Sequence, residues 1–283
     1  MKISNTNNED QYNQPKLFEK IIKRLVELEV DINNVSISDI AGVNEYHVRG
    51  AEVSNELAQE IYLNKAKVLD VGCGLGGLCR MLANDHNCEV TGIDLSHEYI
   101  RTAKNLSELI GLSDKTEFIQ GDALDLPFEK DSFDIVWTQH VQMNIKEKTK
   151  FYSEIRRVLK DEGALVYYDI FKKNRKDIDY PVPWADNASV NFLETFSAVD
   201  DRLNNLGFAK IQTTDQTSKA KHFLIGLFEK IKINGPPKLG LNVLMGESTE
   251  EKLSNILKCI EENKIELQSG IYRKKSFFDN NNS

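Results

Sequence analysis

No stretch of this 283-residue sequence approaches the roughly eighteen consecutive apolar residues that a membrane-spanning helix needs, and the first ten residues are polar, without the apolar core of a secretory signal. A cytoplasmic protein with no membrane span is the expectation. Cysteine is scarce: Cys73, Cys79, Cys88 and Cys259 form no C-x-x-C pair and have no histidine at metal-ligand spacing, so zinc sites and disulfide frameworks lack support and no metal is expected. Positive charge is in deficit, with 36 Lys and Arg against 44 Asp and Glu, and a net charge of −8 argues against a general nucleic-acid surface. Internal repeats are absent as well. The remaining balance, 28% charged and 40% hydrophobic, is ordinary for a globular chain of one large domain or a core with an elaboration.

What is present centres on residues 68–77, Val68-Leu69-Asp70-Val71-Gly72-Cys73-Gly74-Leu75-Gly76-Gly77. An apolar run closed by glycines predicts a buried parallel strand feeding a tight turn, after which Leu78, Met81 and Leu82 continue at helical spacing. Glycine belongs where the backbone takes positive φ or approaches a ligand without a Cβ, and the helix N-terminus beyond offers unpaired N–H groups. Gly72, Gly74 and Gly77 satisfy G-x-G-x-x-G, and Asp94 stands where a ribose-binding acid is expected. Asp70 is the unusual member. A carboxylate inside a buried strand is costly unless it meets a positive or hydrogen-bonding partner, so it would repel a pyrophosphate and suit a cationic ligand. A glycine turn around a locally satisfied Asp70 is the alternative that needs no ligand.

Along the chain, an Asn-rich, mobile segment is expected over residues 1–14, followed by an amphipathic helix from near Pro15 with Leu17, Phe18, Ile21, Ile22, Leu25 and Leu28 on one face. Val53, Leu57, Ala58 and Ile61 mark a second helical stripe. Strands are predicted at 67–71, 88–93, 116–119, 133–138 and 163–170, alternating with helices at 77–84, 97–110 and 147–159, which implies a parallel sheet with helices on both faces. Then come a proline-stiffened aromatic loop, Tyr180-Pro181-Val182-Pro183-Trp184, a helix to Leu206, a strand at 208–214, helices at 218–232 and 247–262, and a strand at 264–274 before an Asn-rich tail. The predicted fold is an α/β, Rossmann-like doubly wound sheet of about seven strands with the last strand antiparallel, plus helical cap elements. In domain terms residues 1–60 form an N-terminal helical cap segment, 61–215 the ligand-binding core, 216–263 a helical insertion and 264–275 the final strand of the core sheet.

With these motifs in place the chain resembles the class I S-adenosylmethionine-dependent methyltransferases. The likeness is carried by Val68 to Gly74, Gly92-Ile93-Asp94-Leu95, Gly121-Asp122-Ala123 with Leu126-Pro127-Phe128, Asp131 to Trp137, and Val158-Leu159-Lys160-Asp161-Glu162-Gly163. Within that class it looks most like the small-molecule group of sarcosine/dimethylglycine, phosphoethanolamine and ubiquinone-biosynthesis enzymes. The resemblance implies S-adenosylmethionine as cofactor, S-adenosylhomocysteine as product, and a small-molecule acceptor methylated at an amine, hydroxyl or activated carbon by direct displacement. Asp94 would then accept the ribose hydroxyls and Asp122 the adenine amine, with the backbone at Gly72 and Gly74 facing the amino-acid end and Gln139 bordering the methionine portion. Asp70, Cys73, Leu95, Ala123 and Arg49 complete the expected cofactor set. One departure matters: Asn144 falls where phosphoethanolamine enzymes carry a catalytic histidine, so the substrate of those relatives does not transfer.

Methyl transfer asks the protein to align nucleophile and donor and to exclude water. His140, expected at the donor end of strand four, is the first candidate base, with His47 and Tyr46 of the pre-core segment as the second. His140, Asn144 and Trp184 are the expected acceptor contacts, Trp184 by offering a π-face to an ammonium group. A nucleotide-dependent oxidoreductase would use the same glycines, and a non-catalytic S-adenosylmethionine-binding protein would lack a substrate chamber. Residues 171–196 and 216–263 are long enough to build one, which favours an enzyme, monomeric or homodimeric, with no nucleic-acid partner.

Overall fold

The structure, a computed structural model, describes residues 15–276. The Asn-rich stretch expected to be mobile and the end of the tail lie outside those residues. The cap begins with α1 (Leu17–Glu27), the single turn α2 (Ala41–Asn44) and α3 (Ala51–Ala58). The core follows as β1 (Lys67–Val71), α4 (Gly77–Asp85), β2 (Glu89–Asp94), α5 (His97–Leu109), β3 (Thr116–Gln120), β4 (Phe133–Gln139), α6 (Lys148–Val158), β5 (Leu159–Lys172), α7 (Phe196–Asn205) and β6 (Phe208–Asp215). Three helices, α8 (Thr217–Asn234), α9 (Leu241–Met245) and α10 (Thr249–Glu261), separate β6 from β7 (Ile265–Lys274).

The strands form one seven-stranded sheet in the order β3-β2-β1-β4-β5-β7-β6. β1 to β5 pair in parallel, while β7 runs antiparallel to both β5 and β6. The sheet reverses its order between β1 and β4, so the carboxyl ends of these two strands frame a crevice. Parallel strands buried on both faces are continuously apolar, and Val68, Leu69 and Val71 are fully buried in β1.

Two elements differ from expectation. β5 begins at Leu159 rather than 163, because Leu159 pairs with Phe133 before Ala164 takes up register with Ile135; the residues between loop out, with Glu162 at φ 61°. The helix expected at 247–262 is preceded by the separate α9 and a tight turn at Gly246, whose φ of 68° no continuing helix tolerates.

The N-terminal cap is fastened to the core by apolar packing and by charge. Leu17, Ile21 and Leu25 of α1 bury against Tyr99 and Leu106 of α5, the Leu17 N–H donates to Glu98 (2.7 Å), and Arg101 pairs with Glu19 and Glu98. Ser96 caps α5 by accepting from the Tyr99 N–H at 3.3 Å.

Candidate active site

The glycine turn after β1 is tied down from β2. The N–H groups of Gly72 and Cys73 donate to the Ile93 carbonyl at 2.8 and 3.1 Å, and the Gly74 N–H donates to Asp94 Oδ2 at 3.0 Å. Gly72 sits at φ 78°, and a Cβ there would come within 2.3 Å of Val141 Cγ2. At Gly74, φ 53°, a Cβ would meet nothing within 4 Å, so the backbone lies bare toward open space. Asp94 also accepts from the Ser96 N–H (2.9 Å), which fixes its carboxylate at the end of β2, and Asp122 accepts from the Leu124 N–H (2.8 Å).

These residues surround a groove of about 550 Å³ at the carboxyl ends of the strands. Asp70, Gly72, Cys73, Gly74, Asp94, Leu95, Asp122, Ala123 and Gln139 all line it, as does Asn144. Asp70 is only 3% exposed; its sole hydrogen-bond donor among the described side chains is the Cys79 thiol (Sγ to Oδ2 3.3 Å). Burial, reinforced by the nearby carboxylates of Glu45 and Asp94, pushes the Asp70 carboxyl up to about 7. A positive charge arriving in the groove would relieve that cost.

Arg49, expected beside the cofactor, is elsewhere. Its guanidinium is buried and donates to Glu52 (2.7 Å), Glu56 (2.7 and 3.2 Å) and Gln216 (3.0 Å), tying α3 to the start of α8. Carboxylates three and seven residues ahead on α3 satisfy the guanidinium locally, and this holds the side chain away from the groove.

His140, His47 and Tyr46 stand where the groove meets a second, apolar cavity of about 40 Å³; all three line both. Trp184 lines only the apolar one, 2% exposed, with its indole N–H donated to Asn191 Oδ1 (3.0 Å). The His140 backbone turns sharply at φ 53° just past β4, and its ring packs against Tyr168 (centroids 4.9 Å) and His47 (5.6 Å). Burial and the neighbouring His47 hold the His140 imidazole well below its usual 6.5, so it is neutral, and its Nε2 has no partner among the described residues. His47 is differently placed: Nε2 lies 2.7 Å from Glu45 Oε2 and Nδ1 3.3 Å from the Val48 carbonyl. Both ring nitrogens are engaged, which leaves His140 with the open lone pair.

Glu45 lines the groove and Ser54 is hydrogen-bonded to it, and sequence reasoning singled out neither. The Ser54 hydroxyl donates to Glu45 Oε2 and lies 3.2 Å from the Gln139 side-chain amide, so a chain of hydrogen bonds runs from Gln139 at the end of β4 through Ser54 and Glu45 to His47. The available signal was local: in an extended segment, residues two apart point to one side, and Glu45 precedes His47 by two.

The reversed sheet order, the glycine turn and the acids after β2 and β3 define the class I methyltransferase fold. Residues 69–167 match the family model described as "Methyltransferase domain", and the chain contains that domain. The tocopherol O-methyltransferase of Arabidopsis thaliana chloroplasts is 32% identical over 190 residues, 64% of this chain and 54% of that protein. The glycine/sarcosine/dimethylglycine N-methyltransferase of Actinopolyspora halophila is 25% identical over 189 residues, 67% of this chain and 33% of that protein. The chain thus spans about half the length, or less, of these curated relatives. Among solved structures, the Haemonchus contortus phosphoethanolamine N-methyltransferase 2 in complex with S-adenosyl-L-methionine shares the fold, with a TM-score of 0.71 and 19% identity over 90% of this chain and 60% of that one.

Proposed function

We propose that this protein is an S-adenosylmethionine-dependent methyltransferase acting on a small-molecule acceptor. The observation that carries the reading is Asp70, a buried carboxylate with no ion-paired Lys or Arg among the described residues, lining a groove whose glycine turn and two further acids suit the rest of that molecule. Asp94 would accept the ribose hydroxyls, Asp122 the adenine amine, and Asp70 the ammonium charge, with the Gly72–Gly74 backbone and Cys73 beneath the amino-acid end. Leu95, Ala123 and Gln139 supply the remaining walls. A pyrophosphate would face Asp70, Asp94 and Glu45 together, which argues against a nucleotide-dependent oxidoreductase.

When bound, the cofactor would supply a methyl group made electrophilic by its sulfonium. The protein's own task is positioning, dehydration and proton removal. His140 is the general base of this proposal: its neutral imidazole receives the proton of an acceptor hydroxyl or ammonium at Nε2. His47, held by Glu45, positions the acceptor beside it, Tyr46 closes the mouth of the groove, and Asn144, another of its lining residues, contacts the acceptor. Trp184 forms the wall of the acceptor chamber. A binding protein without catalysis would have no use for such a chamber or for an unpartnered base.

In this reading residues 1–60 act as the cap, 61–215 as the donor-binding core, 216–263 as an insertion that builds the acceptor chamber, and 264–275 as the last strand. The four cysteines are free thiols, and no helix among the described residues is long and apolar enough to cross a membrane; both fit a cytoplasmic enzyme, monomeric or homodimeric. Calorimetric titration with S-adenosylmethionine and S-adenosylhomocysteine, against NADH as the control, tests the donor assignment. A screen of metabolites with radiolabelled donor then identifies the acceptor, and binding of NADH in preference to either donor form would overturn the reading.

A further inference from the structure

The apolar cavity beside His140 differs from the donor groove in charge. The groove has carboxylates on its walls, whereas the cavity is lined by no Asp, Glu, Lys or Arg among the described residues; Tyr46, His47 and His140, its polar ring side chains besides the Trp184 indole, all stand at the end shared with the groove. The opposite walls come from three parts of the chain: Met143 after β4, Trp184 from the proline loop, and Leu224, Leu227, Met245 and Ile256 from α8, α9 and α10. Everything polar is concentrated where methyl transfer would occur.

Resting on the methyltransferase reading above, we propose that the acceptor has an uncharged, apolar body seated between α8, α9 and α10, and presents a single polar nucleophile to His140. An amino-acid carboxylate or a phosphate entering this chamber would shed its hydration and meet no counter-charge and no unsatisfied donor on the apolar walls. Small amphiphiles with a charged tail are therefore excluded from it, and apolar phenols or amines fit. The space for a ligand in this structure is small, about 40 Å³. A larger body enters by displacing side chains of the cover, and the unbranched Met143 and Met245 are suited to such adjustment.

The test uses the full-length protein saturated with S-adenosylhomocysteine, so that binding is read without turnover. It is titrated calorimetrically with 4-ethyl-, 4-butyl- and 4-hexylphenol, and separately with sarcosine and phosphoethanolamine. Affinity is expected to rise roughly fourfold for each methylene buried, and the two charged compounds should show no saturable binding. Leu227→Glu, at a half-buried position, should abolish the chain-length dependence while leaving S-adenosylhomocysteine affinity unchanged; Phe223→Ala, a milder change in the same cover, should weaken the hexyl compound more than the ethyl one. Affinity independent of chain length, tighter binding of either charged compound, or hexylphenol binding untouched in both variants overturns the inference while the donor reading stands. Failure to bind S-adenosylhomocysteine at all would remove both.

Discussion

Gly77 lies so close to Asn44 that a Cβ built on it would sit 2.0 Å from the Asn44 carbonyl oxygen. The last glycine of the motif is thus spent on docking the cap, while Gly72 and Gly74 shape the groove. Arg80, fully buried one turn later, donates to Asn44 Oδ1 (2.6 Å) and fastens the same residue from the side. Asn44 is followed directly by Glu45, Tyr46 and His47, so the helix that opens the donor site also sets the position of the residues that close it.

Replacing Asp94 should damage the donor site twice over. Each hydrogen bond lost to a charged acceptor is worth about 1.5–3 kcal/mol, and Asp94→Ala removes those to ribose together with its hold on the Gly74 and Ser96 N–H groups. Donor affinity by calorimetry should fall by well over tenfold, with a lower Tm. Asp94→Asn should retain more of the Tm than of the affinity.

Asp70 makes donor binding pH-dependent. With its carboxyl titrating at about 7, the group is neutral in mildly acidic solution and ionised above that, so affinity for a cationic donor should rise from about pH 6 to about pH 8. The ligand-free fold shows the opposite sign: because the folded value is raised above 3.8, this stability is fully present below 3.8 and is lost as pH rises through about 7. Asp70→Asn should flatten both curves, leaving a protein that melts higher at alkaline pH and binds the donor more weakly.

His140→Ala should lower turnover by roughly 10²-fold if the imidazole is the base, with the donor Kd nearly unchanged. Since burial holds its protonation well below the usual 6.5, acidification to about pH 6.5 should not by itself silence the wild-type enzyme through this group. An unaltered kcat with the true acceptor would assign proton removal to another group or to none.

Arg49→Met should cost stability and not chemistry. The variant breaks the tie between α3 and α8, but Glu52 and Glu56 keep access to water, so denaturant unfolding should register a loss of about 1–3 kcal/mol, less than for a fully buried pair. Donor affinity should stay within about twofold, and a large drop would return Arg49 to the donor site.

The core was legible because its signals are local. A strand that ends in Asp94 or Asp122 places that acid at the sheet's carboxyl edge by alternation alone, and Ser96 announces itself as a helix cap. Gln139 and His140 followed from the end of strand four. Arg49 and Glu45 were not legible, for their roles depend on partners distant in sequence: Gln216 stands 167 residues from Arg49, and the hydrogen-bond chain from Glu45 passes through Ser54 to Gln139, 85 residues further on. Trp184 lines the apolar cavity, and its indole N–H is already used on Asn191, a pairing that no periodicity reveals.

The pairing of β6 with β7 carries a consequence for how such a protein diversifies. Asp215 lies opposite Gln268, so the excursion through α8, α9 and α10 leaves and rejoins the sheet at one point, like the loop of an oversized hairpin. The entropy of closing a loop grows only with the logarithm of its length, so the excursion can be lengthened, shortened or exchanged with little effect on the strands that hold it. Chambers of other shapes can be grafted at this junction, and β1, β2 and β4, the strands that carry the groove, take no part in it.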